Sequence, residues 1–215
     1  TKGKTKSGSV LHPRVRAGAG EARHVVDNWG IETGTSGPKG PVVHFGSPSH
    51  REVVVFWESA KAEPSRVRFG IAGRGFVHTA GDGVARTLHE VRLTGLVPDT
   101  AYECSAGTAG RTNSFRTAPL PGSGAPFTFA ALGDFQGGDR ITAQVGKEPG
   151  LSFLLHTGDM VNHGYSHTEW NQYFGFIRGL AARLPFMTIP GNHEDESPLY
   201  GRFHPQPGER YYYTF

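Results

Sequence analysis

The sequence predicts two unlike domains in one chain: an all-β sandwich followed by an α/β domain with a partial βαβαβ core. Three observations carry this. Between Val42 and Thr117, short β-rich runs alternate with turn clusters, and no helical periodicity intervenes. Ala118 to Ala125 reads APLPGSGA, a Pro/Gly/Ser linker that marks a domain boundary. After it, apolar strand-like runs alternate with amphipathic helical segments. A length of 215 residues accommodates one large domain or two small ones.

Composition narrows the classes of function. Gly 31 and Pro 15 against 36% hydrophobic residues imply many turns, concentrated towards the N-terminus. No apolar run approaches the roughly 20 residues a membrane-spanning helix needs, and none near Thr1 has the form of a signal-peptide core. Net charge is +3, and Lys2, Lys4, Lys6, Arg14 and Arg16 supply much of the basic character. No aromatic residue is interleaved there to stack on bases, so no nucleic-acid partner is expected. Residues 1–41 therefore read as a flexible basic leader, becoming an extended strap near Trp29. Cys104 is the one cysteine, which excludes an internal disulfide; its strand-like setting predicts a buried, inert thiol.

Residues 42–117 offer seven candidate strands: Val42–Phe45, Glu52–Glu58, Arg66–Ile71, Phe76–Ala80, Arg86–Leu93, Ala101–Ala106 and Asn113–Arg116. Leu88, Val91 and Leu93 do not alternate cleanly, which predicts a bulge. Leu93 to Tyr102 (LTGLVPDTAY) has a core Leu, a Pro-Asp turn and a Tyr opening the next strand. That is the pattern of a tyrosine corner, whose hydroxyl bonds to backbone a few residues upstream. With Trp57 on an early strand, the segment resembles a fibronectin type III module. His44, His50, His78 and His89 fall within it, and no chemical role is expected of them.

Residues 126–215 read as strand Phe127–Leu132, helix Asp139–Lys147, strand Phe153–His156, helix Thr168–Arg183 and strand Phe186–Ile189. In the longer helix, Trp170, Tyr173, Phe174, Ile177, Leu180 and Ala181 recur at i, i+3, i+4 spacing, one face for a sheet. Strands separated by helices run parallel. Arg210–Phe215 has strand character, and three parallel strands with two helices leave apolar surface uncovered, so the polypeptide is expected to continue.

Each of the three strands ends in a polar, Gly-containing turn: Gly133-Asp134, Gly158-Asp159 and Gly191-Asn192-His193-Glu194. Open α/β sheets place ligands at such ends, and the Gly of each turn is expected to permit the tight bend that aims the side chain. Asp134, Asp159 and Asn192 are oxygen donors suited to Mn, Mg, Fe or Zn, and a shared carboxylate can hold two ions about 3.5–4 Å apart. Such a pair activates a water for in-line attack on phosphorus, and His193 beside Asn192 is placed to act as general acid.

Taken in this order, the three motifs resemble those of the metallophosphoesterase (calcineurin-like) superfamily. The preceding sandwich makes the stretch from Val42 to Phe215 similar to the N-terminal part of a plant-type purple acid phosphatase. The resemblance implies two metal ions, with Asp134 on the first, Asp159 bridging, Asn192 on the second and His193 contacting phosphate or leaving group. It implies a small phosphorylated substrate and an extracytoplasmic or secreted location.

Departures qualify the match. Purple acid phosphatases carry a Tyr three residues after the second-motif Asp; Asn162 stands there, which argues for a divalent pair over a ferric site. Gln136 occupies a first-motif position that is usually Gly, or His in relatives, and its carbonyl is a candidate metal ligand. His163, on the loop after Asp159, is a candidate substrate contact. The family's two later His motifs are not within these residues, so the chain alone is expected to be inactive. Three readings stay open: a phosphomonoesterase, a phosphodiesterase or nucleotide pyrophosphatase, and a non-catalytic binding protein on a degenerate scaffold.

Overall fold

The computed structural model describes residues 38–136, 138–194, 197–205 and 213–215. The leader expected over residues 1–41, with its strap near Trp29, lies outside these residues except for its last four. Strand β1 (Lys39–Phe45) already begins within that stretch.

The seven expected strands of the sandwich are five, because two pairs of them are continuous. Strand β2 (Val53–Ile71) takes in the second and third, and β3 (His78–Leu93) most of the fourth and fifth. Strands β4 (Ala101–Ala106) and β5 (Arg111–Arg116) complete the set. The first half of β2 pairs with β1 and with the end of β3, as in Val55↔Val43 and Val55↔Val91. Its second half pairs with β4 and the start of β3, as in Val67↔Ala106 and Val67↔Ala80. The changeover falls at register shifts between Glu58 and Arg66, so bent strands pass from one layer to the other.

The irregularity expected within Arg86–Leu93 falls at its start, where the register with β2 shifts between Arg86 and Leu88; from Leu88 to Leu93 the pairing is regular. His89, Val91 and Leu93 alternate inward, and Leu88 faces the neighbouring domain. His89 fills an inward position by stacking on Trp57, with ring centroids 4.3 Å apart. The tyrosine corner is present: the Val97 amide donates to the Tyr102 hydroxyl at 3.0 Å. These features make the sandwich fibronectin type III-like. Cys104 is buried inside it, and burial pushes its thiol pKa up to about 12, which keeps it unreactive.

The second domain follows the expected alternation: β6 (Thr128–Leu132), α1 (Asp139–Val145), β7 (Leu151–His156), α2 (His167–Ala181) and β8 (Phe186–Thr188). The strands form a parallel sheet in the order β6-β7-β8. The six residues expected on the inner face of α2 are its buried ones. Ser166 caps it, its hydroxyl accepting from the Glu169 amide at 3.2 Å. A third helix, α3 (Pro198–Phe203), was not expected; Ser197 caps it and Pro198 opens it. Of the C-terminal run 210–215 expected as a strand, residues 210–212 lie outside the described ones. Tyr213–Phe215 form no strand; instead the Tyr213 hydroxyl donates to Thr188 O at 2.8 Å, and Phe215 stacks on Phe45.

The two domains share their apolar interior. In β1 and the first half of β2, Val43, Phe45, Val53, Val55 and Trp57 point into the sandwich. Val42 and Phe56 point the other way, into the cluster built by α2, α3 and β8. His44, also on that outer face, donates its Nδ1–H to Phe186 O across the boundary. Lys39 pairs with Glu58 at 2.7 Å, and Arg202 of α3 reaches the same carboxylate at 3.4 Å. The sandwich thus packs through β1 against β8 and α2.

Candidate metal and phosphate site

Asp134 and Asp159 leave the ends of the adjacent parallel strands β6 and β7, which puts their backbones side by side. Both adopt left-handed backbone conformations, with φ of 50° and 56°. Such conformations strain a non-glycine residue and gather at functional sites. The expectation for the neighbouring glycines holds at Gly158, whose φ is 104°, and is corrected at Gly133 and Gly191, which have no positive φ; at motif one it is the Asp itself that turns. Gly158 and Gly191 also permit close approach: a Cβ on Gly158 would collide with the backbone of Pro190 and Gly191, and one on Gly191 with Asp159.

Backbone hydrogen bonds stitch the three turns together. The Phe135 amide donates to Asp159 O at 2.7 Å, joining the first turn to the second. The His193 amide donates to Asp159 Oδ1 at 3.0 Å, joining the third to the second. Glu194 contributes most. Its fully buried carboxylate accepts from the amides of Asp159 (2.9 Å) and Gly191 (2.6 Å) on Oε2, and of Met160 (2.8 Å) and Val161 (3.3 Å) on Oε1. The sequence leaves Glu194 either to orient His193 or to face solvent; solvent exposure is corrected by its full burial, and an acid after Gly-Asn-His carries no visible sign that it binds another loop's backbone.

His193 lies over the junction. A carbonyl only accepts, so the 2.9 Å contact between its Nδ1 and Asn162 O places a proton on Nδ1 and leaves Nε2 as the free edge. The Asn162 carbonyl first, and the carboxylates of Asp159, Glu194 and Asp134 after it, raise its pKa above the usual imidazole value. Asn192 precedes His193 and is exposed, and Gln136 is half-buried in the turn after Phe135. His163 stands apart, its side chain 77% exposed and its Nδ1 held by Glu169 Oε1 at 2.6 Å. His156 is buried below the site, its Nδ1 accepting from the Gly158 amide at 3.3 Å.

Among the described residues, no three His, Cys, Asp or Glu side chains form a group arranged to hold a metal ion. The donor chemistry nonetheless fits a hard divalent cation in part: two carboxylates on adjacent strand ends, an exposed carboxamide between glycine and histidine, and a second amide at Gln136. A complete shell requires further donors. No helix of the described residues is long and apolar enough to cross a membrane.

A sandwich leading into strand-end acidic turns on a parallel sheet defines a class, and comparison with known proteins agrees. Residues 127–215 match the calcineurin-like phosphoesterase family. Purple acid phosphatase 21 of Arabidopsis thaliana is 32% identical over 130 residues, covering 55% of this chain and 29% of that protein. Acid phosphatase type 7 of Danio rerio is 28% identical over 173 residues, covering 71% of this chain and 39% of that protein. A purple acid phosphatase from yellow lupin (Lupinus luteus) seeds superposes with a TM-score of 0.60 at 22% identity, covering 74% of this chain and 36% of that one. The chain resembles the purple acid phosphatases, with a fibronectin type III-like sandwich joined to a segment that matches the calcineurin-like phosphoesterase family. It spans roughly a third of the length of these relatives.

Proposed function

We propose that the chain carries the first half of a phosphoesterase active site that hydrolyses phosphate monoesters with the help of two metal ions. The observation that carries this reading is the bonding of the three motif turns to one another: the Phe135 amide to Asp159 O, the His193 amide to Asp159 Oδ1, and the Glu194 carboxylate to the amides of the second and third turns. The metals, bound by Asp134, Asp159 and Asn192 with Gln136 as a further donor, would supply Lewis acidity and an activated water. The residues of the chain do the rest. Asp159, with Oδ1 already accepting from His193, is held in one orientation. His193, its Nδ1–H held by the Asn162 carbonyl, would donate a proton to the leaving oxygen from Nε2 as the imidazolium, the form in which both ring nitrogens carry a proton. A small phosphorylated substrate and an extracytoplasmic location are the corresponding expectations; they rest on resemblance.

The alternatives keep specific support. Asn162 offers no phenolate, in line with a divalent site and with diester chemistry. One relative, 23% identical over 141 residues, is described as a probable inactive purple acid phosphatase, which is the precedent for a non-catalytic reading.

The test is a Mn²⁺ titration of the chain, followed by NMR line broadening, together with assays on chromogenic phosphate mono- and diesters. Broadening centred on Asp134, Asp159 and Asn192, abolished by Asp159→Asn, is expected, with slow or no turnover from this half-site. Broadening elsewhere, or unaffected by Asp159→Asn, removes the metal assignment. Preference for the diester in any turnover would select the second reading.

A further inference from the structure

The loop that receives His193 is itself held from behind. Glu169, in the first turn of α2, accepts three hydrogen bonds from two consecutive loop residues: the amides of Asn162 (2.6 Å) and His163 (2.9 Å) on Oε2, and His163 Nδ1 (2.6 Å) on Oε1. Its side chain is only 22% exposed, and a carboxylate in the first turn of a helix is favoured by the helix dipole. The opposite side of the same peptide points at the site, where Asn162 O takes the proton on His193 Nδ1 at 2.9 Å. The Gly164 amide closes the circuit by donating to His193 O at 2.9 Å.

We propose that Glu169 is a positioning residue that fixes the tautomer and direction of the His193 imidazole through the Asn162 carbonyl, with His163 as its brace. The tautomer of a histidine is set by the hydrogen bond its other nitrogen makes. Here that partner is a main-chain carbonyl, so the side chain at position 162 is free to be Asn, and the restraint that a side-chain acceptor could have provided comes from α2. His163 therefore serves the loop: its imidazole is bound to Glu169, which accounts for an exposed histidine with a defined orientation. The catalytic meaning of the arrangement rests on the reading of His193 as proton donor; the tautomer does not.

The experiment is NMR of the ¹⁵N-histidine-labelled chain at a pH where His193 is neutral, without metal or substrate. The native chain is expected to show His193 with the proton on Nδ1, the tautomer free imidazole disfavours. Glu169→Ala is expected to lose that signature, reverting to Nε2–H, with the sandwich amide shifts unchanged as the check on folding. Glu169→Gln is expected to keep it, because the amide oxygen still accepts from both loop amides while its NH₂ donates to His163 in the other tautomer. Asn162→Ala, which retains the carbonyl, is expected to keep it too. Persistence of the Nδ1–H form in Glu169→Ala, or its absence from the native chain, overturns the proposal. Neither outcome depends on whether the chain binds metal or hydrolyses an ester.

Discussion

Glu194 shows how much a single buried carboxylate can decide. Four amides from two turns converge on it, so the second and third motifs cannot separate without stranding donors in the interior. Glu194→Gln keeps the shape but replaces one acceptor oxygen with a donor facing donors. Hydrogen bonds to charged groups contribute about 1.5–3 kcal/mol each, and unmet buried donors add a penalty. A loss of about 3 kcal/mol is expected, read as a lower urea midpoint at unchanged m-value. The position of Asp134, Asp159, Asn192 and His193 just beyond the ends of β6, β7 and β8 is legible in the sequence because motif order and strand-end placement depend on local pattern. Glu194 and Glu169 were not, because their partners are backbone amides of other segments, and every residue type offers the same amide. The left-handed φ of Asp134 and Asp159 was hidden for a related reason: an adjacent Gly made the turn look already explained.

At the scale of the element, periodicity was readable wherever one face met one core. Helix α2 is the clear case, its six buried residues set by the 3.6-residue repeat. Its cap is equally local, and Ser166→Ala is expected to cost about 1 kcal/mol in chemical unfolding. Helix α3 escaped notice because six residues hold less than two turns of pattern. The run Val53–Trp57 was readable as a strand, but its meaning was not: an uninterrupted apolar strand is one buried on both faces. Alternate residues serve different cores, Val55 and Trp57 the sandwich and Phe56 its neighbour. Phe56 lies 6.2 Å, ring centroid to centroid, from Phe174 of α2 and 6.4 Å from Phe203 of α3. Phe56→Ala is expected to destabilise by about 3–5 kcal/mol, the usual cost of a deleted buried aromatic. If Phe56 served only the sandwich, the indole fluorescence of Trp170 in α2 would not change in the variant; a shift is expected.

For the whole molecule, the Pro/Gly/Ser linker at which the sequence draws a domain boundary does not divide the packing, since one apolar cluster contains residues from both sides of it. The same boundary collects buried imidazoles. His44 and His204 meet across it with ring centroids 5.6 Å apart, and His156 and His204 both lie against Tyr173. Burial depresses His44 and His156 to about 4 and lowers His204 as well, the last also repelled by its two neighbours. A histidine whose pKa is lower folded than unfolded is neutral in the native state. Its contribution is therefore complete above the unfolded value near 6.5 and is lost as pH falls from there towards 4. At about 1.4 kcal/mol per unit, His44 and His156 each withdraw about 3 kcal/mol across that window. The urea midpoint is expected to drop steeply between pH 7 and pH 4.5, with both domains unfolding together because their core is shared. His204→Phe isolates the cause from the protonation of carboxylates. Among the described residues neither ring nitrogen of His204 has a hydrogen-bond partner, so the change strands none of their groups; it is expected to alter stability at pH 7 by less than about 1.5 kcal/mol while flattening the acid limb. An acid limb of unchanged slope in His204→Phe would assign the pH dependence to other groups, and a sandwich that unfolds at a separate midpoint would show that the shared core does not couple the domains.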